Sequence, residues 1–303
     1  MVVLLALLFV GMNTVAVVAA TELLIREKVL PNDRFIWHLN LFRTGGTGNV
    51  VFGDSQASFG IHGLSGFLNL SYPDDSYTTT EAKVQAYFAN RRPGKVILQA
   101  DPHMLSPSRE ITPNYDVRLF ANRGNPFLWV LTGLHRGNII KYWSLFLRGS
   151  SFSDKAIHQS DGAITQDKNW LAQPEDLRLS VASDFLAPRF WPNQLPNETE
   201  NGRAYERTLA FLISQGAEVC MVRMPLAPLV QSLIVNSAND PKFRRAQSYY
   251  QSLAAKYGAT YVDMSGALKE EILFLDERHL NEAGARSFLP ILETACHGDP
   301  PAR

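Results

Sequence analysis

Three residues of the types that can cooperate in nucleophilic catalysis lie near opposite ends of the chain. Ser55 follows the short apolar run 49–52, and Asp276 and His279 are three residues apart near the C-terminus. A serine hydroxyl is a weak nucleophile unless an adjacent base accepts its proton, and the usual base is a histidine oriented by a carboxylate. Because Asp276 can reach His279 within one loop, the spacing predicts a Ser55–His279–Asp276 triad if the fold brings the two segments together.

Five short apolar runs are the predicted strands of a sheet. They are 49–52, 66–71, 95–100, 217–224 and 259–264, and the main predicted helices are 80–90, 202–215, 240–257 and 281–294. Apolar strands alternating with helices are typical of an α/β fold with a parallel sheet covered on both faces, a three-layer α/β/α sandwich. Sites in such sheets lie at the carboxyl ends of the strands. Ser55 follows the first strand and His279 follows the last, so we expect both at that edge.

The two segments also resemble a known enzyme superfamily. Gly53-Asp54-Ser55 looks like the first sequence block of the SGNH (GDSL-type) hydrolases, and the run from Asp276 through Asn281 to Gly284 looks like their final block. The resemblance covers 49–105 and 203–295. It implies an SGNH/flavodoxin-like fold and a serine esterase or acyltransferase that uses the triad and needs no cofactor.

Further similarity points to a subset of this superfamily. The N-terminal apolar stretch, the Met224-Pro225 strand end and the segment 276–285 resemble membrane-anchored SGNH proteins of the cell envelope, such as the D-alanyl transfer and alginate-acetylation proteins. This resemblance implies a site outside the cytoplasm and an envelope polysaccharide or related acylated carbohydrate as substrate. Water as acceptor would make an esterase and a sugar hydroxyl would make an O-acyltransferase; both stay open, because pocket shape and water exclusion decide the acceptor.

Two blocks of the superfamily pattern are altered in this chain. The superfamily supplies a glycine amide after the second strand and Gly-x-Asn-Asp after the third, whereas here Ser71 and Ala100-Asp101-Pro102-His103 occupy those places. We therefore take Ser71, Asp101 and His103 as candidate oxyanion or substrate residues. Ionised Asp101 would repel an oxyanion, which favours a structural or substrate-orienting role. His103 is a possible donor or an ordinary loop histidine. The missing asparagine favours the alternative of a non-catalytic binding or scaffold protein on a degenerate SGNH fold.

The N-terminus begins with an uncharged apolar stretch. Val2–Ala20 contains no charged residue, and about 20 apolar residues cross a bilayer as a helix. A cleaved signal peptide is the alternative, but the stretch is longer than a typical signal core and lacks a basic leader. The predicted organisation is a membrane anchor at 1–21, a juxtamembrane segment at 22–48, and an SGNH-like domain at 49–297 with an insertion at about 106–201.

Part of this insertion has an unusual composition. The segment 117–153 carries five basic residues and no acidic one, together with tryptophan, phenylalanine and leucine. Cationic residues beside tryptophan and leucine suit an anionic lipid surface, so the segment predicts a helical cover that also touches the membrane. A packed helical subdomain with arginines at its rim is the other interpretation.

Composition limits the remaining function classes. Lysine plus arginine and aspartate plus glutamate are 29 each, so no net charge attracts nucleic acid. No histidine pattern has metal-ligand spacing. Cys220 lies in an apolar run and is predicted to be a small buried hydrophobic residue; a bridge to Cys296 is the less favoured alternative.

Overall fold

The computed structural model describes residues 2–30, 33–106, 109, 120, 138–150, 157–158, 164–166, 169–187, 195–235, 237 and 240–297. The chain divides into two compact units. Met1–Arg43 and Tyr115–Lys155 form the first, which we call the helical unit, and Thr44–Asn114 and Ala156–Arg303 form the second, the α/β unit.

The described elements are numbered in chain order. The α-helices are α1 (Val2–Leu24), α2 (Arg34–Thr44), α3 (Ser55–Gly60), α4 (Tyr77–Phe88), α5 (Ile139–Leu147), α6 (Glu175–Phe185), α7 (Glu200–Ser214), α8 (Pro228–Ile234), α9 (Asp240–Tyr257) and α10 (Glu282–His297). The strands are β1 (Val50–Phe52), β2 (Leu68–Asn69), β3 (Lys95–Gln99), β4 (Ile157–His158), β5 (Ile164–Thr165), β6 (Glu218–Arg223) and β7 (Thr260–Asp263). A π-helical turn, Ile25–Val29, continues α1, and 3-10 turns span Pro102–Leu105, Trp170–Ala172, Pro196–Glu198 and Glu271–Leu273.

The α/β unit is built on a five-stranded parallel sheet in the order β2-β1-β3-β6-β7. The central strands β1, β3 and β6 are almost entirely buried, as expected for a parallel sheet with helices on both faces. Counting only these five strands, the order is 2-1-3-4-5, the flavodoxin-like arrangement. The predicted α/β fold is therefore confirmed.

The elements differ from prediction mainly at their ends. The predicted strand 66–71 contracts to β2, which lies at the edge of the sheet. Helix α4 begins at Tyr77 rather than at residue 80, because Ser76 is its N-cap and accepts a hydrogen bond from the Thr79 amide. A serine side chain in this position satisfies one of the unpaired amides of the first helical turn.

The favoured interpretation of Cys220 is wrong in one respect. Cys220 is buried, as predicted, but it forms a disulfide with Cys296, with the two Cα atoms 5.6 Å apart. Helix α10 packs onto the sheet through Ala285, Phe288 and Leu292, which are all buried at helical spacing. This packing brings two cysteines together that are 76 residues apart in sequence, a proximity that spacing alone does not reveal.

The helical unit contains α1, α2 and α5. The described stretch Phe9–Val29 is long and apolar enough to cross a membrane; its charged residues begin at Glu22, so the uncharged part of the helix is Val2–Thr21. Helix α2 buries Phe35, Ile36, Leu39 and Phe42, and the ring of Phe120 packs edge-on against Phe35 and Phe42. Of the basic segment 117–153, Arg118, Arg123 and Arg136 lie outside the described residues.

Candidate active site

The structure brings Ser55, His279 and Asp276 together although Ser55 and His279 are 224 residues apart in sequence. His279 Nε2 lies 2.7 Å from Ser55 Oγ. On the other side of the ring, His279 Nδ1 lies 2.7 Å from Asp276 Oδ2 and 2.9 Å from Oδ1. The carboxylate thus orients the imidazole, and the far nitrogen faces the serine hydroxyl.

The turn that carries Ser55 follows from the residues around it. Strand β1 ends at Phe52, and Asp54 is the N-cap of α3, with its side chain accepting a hydrogen bond from the Gln56 amide at 2.9 Å. A Cβ on Gly53 would collide with the Gln99 side chain and lie 2.8 Å from the Ala57 side chain. Glycine is therefore required just before the nucleophile turn, and Ser55 becomes the first residue of the helix.

The loop that carries the other two residues is tied by its own polar groups. Asp276 Oδ1 accepts from the amides of Arg278 and His279 at 3.1 and 2.9 Å, and the Leu275 amide donates to the His279 carbonyl at 2.8 Å. Asn281 then accepts from the Gly284 amide at 2.9 Å and opens α10. These hydrogen bonds close the loop on itself and so fix the backbone that carries the His279 imidazole.

Asp276 is ionised at neutral pH. Burial disfavours the charged carboxylate, but the charge of His279 and hydrogen bonds from its ring and from the Arg278 and His279 amides outweigh that effect and lower the pKa of Asp276 to about 2. A carboxylate that stays ionised can stabilise an imidazolium formed beside it.

An apolar wall flanks the imidazole. The ring of Phe59, on α3, lies 5.3 Å from the ring of His279. Phe59 and Ile164 are buried and pack with Leu275 in a small cluster separate from the main core. Since Ser55 is itself only 8% exposed, this part of the site has limited contact with water, which strengthens electrostatic interactions within it.

Ser71 lies beside the nucleophile turn. The next residue, Tyr72, donates its amide hydrogen to the carbonyl of Gly53 at 3.2 Å. The Ser71 amide is already used, because it donates to Asn69 Oδ1 at 2.9 Å. The Ser71 hydroxyl is buried and has no hydrogen-bond partner among the described residues.

His103 and Asp101 belong to a buried network centred on Asp54. Asp54 Oδ2 lies 3.0 Å from His103 Nε2 and 2.7 Å from an Arg109 nitrogen. Gln99 joins the two acids, because its Nε2 donates to Asp54 Oδ1 and to Asp101 Oδ2 at 2.9 Å each. His103 Nε2, one of the two ring nitrogens that could donate to an oxyanion, is therefore engaged by Asp54.

The protonation states in this network follow from its burial. Burial lowers the pKa of His103 to about 4 and raises that of Asp101 to about 8, so both are neutral at pH 7. Burial also opposes ionisation of Asp54, but His103 and Arg109 outweigh it and hold the pKa of Asp54 well below its usual range. Neutral His103 then donates its Nε2 hydrogen to ionised Asp54, and Arg109 supplies the balancing charge.

The sequence reasoning did not identify Asp54, Gln99 and Arg109 as members of one cluster. One signal was present, because Gln99 is a polar residue at the end of an otherwise apolar strand, and such a residue must find partners when buried. No described group of three or more histidine, cysteine, aspartate or glutamate side chains is arranged to hold a metal ion.

Comparisons with known proteins find only distant similarity. No family model and no curated protein matches the chain. Solved structures that align with it include a putative platelet activating factor from Streptococcus pneumonia, with 13% identity, a TM-score of 0.41, and coverage of 94% of this chain and 100% of that chain. A lipase/acylhydrolase from Enterococcus faecalis aligns with 12% identity and a TM-score of 0.37, over 84% of this chain and 99% of that chain.

A carbohydrate acetylesterase family member from Sinorhizobium meliloti also aligns, with 10% identity, a TM-score of 0.30, and coverage of 82% of this chain and 99% of that chain. Similarity this low says nothing about the reaction. The strand order and the positions of the first and last sequence blocks at the sheet edge come from the protein itself. The structure itself confirms the predicted α/β fold with a parallel sheet.

Proposed function

We propose that the protein is a serine-dependent acyl-ester hydrolase or O-acyltransferase. In this proposal Ser55 is the nucleophile, His279 the general base, and Asp276 the carboxylate that orients and stabilises the imidazole. The observation that carries it is the unbroken chain of two 2.7 Å contacts from Asp276 through His279 to Ser55 Oγ. Both contacts lie within the hydrogen-bonding reach that proton transfer requires.

The reaction has two balanced steps. His279 Nε2 takes the proton of Ser55 Oγ as that oxygen bonds to the ester carbonyl carbon. The tetrahedral intermediate then expels the alcohol, which receives the proton from His279, and an acyl-Ser55 ester remains. Water or a sugar hydroxyl next loses a proton to His279, attacks the acyl carbon, and releases a carboxylic acid or a new ester as Ser55 regains its proton.

The oxyanion of the intermediate requires hydrogen-bond donors. We propose the backbone amide of Ser55 and the hydroxyl of Ser71. The Ser71 hydroxyl is buried, without a described partner, and carried by the segment that pairs with Gly53. His103 is left out of this role because its Nε2 is engaged by Asp54, and Asp101 is assigned a structural role because Gln99 and the Met224 amide contact it.

The site is proposed to lie outside the cytoplasm, with an acylated envelope carbohydrate as substrate. The Cys220–Cys296 disulfide supports this location, since disulfides persist in oxidising compartments. The apolar length of α1 fits an anchored protein. The carbohydrate class rests on the resemblance to membrane-anchored envelope members alone.

Labelling with a fluorophosphonate tests the nucleophile. The full-length protein in detergent should be labelled, and Ser55→Ala should abolish labelling while leaving the fold intact. Ser58→Ala is the matched control, because Ser58 lies on the same helix, is buried, and its hydroxyl has no described partner. Equal labelling of wild type and Ser55→Ala would overturn the assignment. A folded wild type that is never labelled would favour the non-catalytic scaffold instead.

A further inference from the structure

Helix α5 presents an apolar face that is largely exposed. Its nine residues include none that is buried, and Ile140 and Leu147 are 86% and 78% exposed. An open groove on the helix is lined by Ile139, Ile140, Trp143, Ser144, Leu147 and Arg148. Ile140, Trp143 and Leu147 follow helical spacing and so share one side. Contiguous apolar surface of this kind marks an interaction site rather than ordinary surface.

The same helix is fixed to one end of the apolar N-terminal helix. Trp143 Nε1 donates a hydrogen bond to Thr21 Oγ1 at 3.1 Å, and both residues belong to the helical unit. Thr21 is the last residue before the first charged one, Glu22, which pairs with Arg26 at 2.8 Å. Helix α5 is therefore attached where the uncharged part of α1 ends.

The length of α1 indicates how deep in a bilayer the contact between Trp143 and Thr21 would lie. At about 1.5 Å per residue, the 19 steps from Val2 to Thr21 span about 28 Å, close to the ~30 Å hydrocarbon thickness of a bilayer. If α1 crosses a bilayer, Thr21 lies at the boundary between acyl chains and headgroups. Trp143, which touches Thr21, then lies at the depth that tryptophan favours in membrane proteins.

The charges of α5 suit a lipid surface with anionic headgroups. Lys141 and Arg148 are seven residues apart, or about two helical turns, and so lie on one side of the helix. The segment 138–150 contains no acidic residue. Basic residues beside an apolar face containing tryptophan are the composition of helices that lie in the plane of the interface.

We infer that α5 is an interfacial helix, lying in the headgroup layer of the leaflet where α1 ends. Ile140, Trp143 and Leu147 enter the acyl-chain region, and Lys141 and Arg148 meet the phosphate groups. The occupant of the apolar face is the bilayer itself rather than another protein. This inference is independent of the catalytic assignment of Ser55.

Spin labels on the full-length protein test the inference in nanodiscs of phosphatidylcholine with phosphatidylglycerol. Single cysteines at Ile140→Cys and Leu147→Cys carry a nitroxide, and Cys220 and Cys296 do not react because they form the disulfide. The matched control is Arg244→Cys on α9, whose native side chain is 73% exposed. Circular dichroism checks that each variant is folded.

Relaxation by oxygen, which concentrates in lipid, is compared with relaxation by a water-soluble nickel chelate. We expect the labels at 140 and 147 to respond mainly to oxygen and the label at 244 mainly to nickel. Lys141→Gln with Arg148→Gln should make the label at 140 more accessible to nickel. The inference is overturned if labels 140 and 147 respond as 244 does, which means that the face is in water. It is equally overturned if they are shielded from both reagents, which means that protein covers the face.

Discussion

Among the described residues of the α/β unit, two histidine–aspartate pairs can be compared, and only one of them is suited to acid–base chemistry. In the first, Asp276 contacts His279 Nδ1, which leaves Nε2 facing Ser55 at 2.7 Å. In the second, Asp54 contacts His103 Nε2 at 3.0 Å, and both side chains are buried. A carboxylate beside an imidazole is common to both. What separates them is whether the remaining ring nitrogen faces a serine hydroxyl.

Burial also gives the two pairs opposite roles. His103 is 3% exposed, and its pKa is lowered to about 4, so it is a neutral hydrogen-bond donor at physiological pH. The Asp54–His103 pair therefore fixes the turn before Ser55, whereas the Asp276–His279 pair contacts Ser55 directly. Substitutions in the Asp276–His279 pair are therefore expected to change turnover, whereas substitutions in the Asp54 network are expected mainly to change stability.

The largest expected effect is on turnover. His279→Gln should lower kcat for an acyl ester by about a million-fold, the loss typical of removing the base of a serine triad, with little change in unfolding free energy. His103→Gln should lower kcat by less than about tenfold, because His103 acts through Asp54. The measurement is steady-state hydrolysis of 4-nitrophenyl acetate by both variants. A reversed order of the two losses would break the comparison.

A smaller effect is expected on stability. His103→Gln should cost about 1–3 kcal/mol at pH 7, the usual cost of a buried hydrogen-bonded group that loses its partner. The pKa of about 4 in the folded protein lies below the ordinary histidine value of 6.5, so the unfolded chain binds the proton more tightly between these values. Stability from this group is therefore present above pH 6.5 and lost as the pH falls toward 4.

The difference in unfolding free energy between wild type and His103→Gln should accordingly be larger at pH 7 than at pH 4.5. Denaturant titrations at the two pH values measure it, and subtraction removes contributions from other acids that both proteins share. A difference that grows toward acid pH would show that His103 is charged in the folded state.

The smallest effect should come from Asp101→Asn. Burial raises the pKa of Asp101 to about 8, so the side chain is already neutral at pH 7 and asparagine preserves both its charge and its shape. We expect a loss below about 1 kcal/mol at pH 7, within the range of an ordinary substitution. Asp54→Asn, the matched control, should cost roughly 3–5 kcal/mol because it removes the buried carboxylate that contacts Arg109 at 2.7 Å and leaves only the exposed Asp74 at 3.5 Å. Thermal unfolding of both variants measures the two losses of stability. Equal losses would mean that Asp101 and Asp54 have the same protonation state, which contradicts the prediction.

Residue patterns predicted the parts of this molecule that depend on local periodicity. The apolar runs around Val50, Ile97 and Val222 indicated buried parallel strands, and positions after the first and last strands placed Ser55 and His279 at one edge. That inference worked because strand ends in a parallel sheet converge regardless of separation in sequence. The Asp54 network and the disulfide were not predicted, since both depend on which side chains meet across packed elements. Arg109 contacts Asp54 from 55 residues away, and no pattern encodes that contact.

The central claim is that Ser55 carries the acyl group. The most direct test is mass spectrometry of the protein mixed with 4-nitrophenyl acetate and quenched in acid within the burst phase. We predict the mass of one acetyl group on the peptide that contains Ser55, absent in Ser55→Ala and accumulating in Asp276→Asn if deacylation is slowed more than acylation. Acetyl on another residue of wild type, with Ser55 unmodified while ester is turned over, would contradict the account.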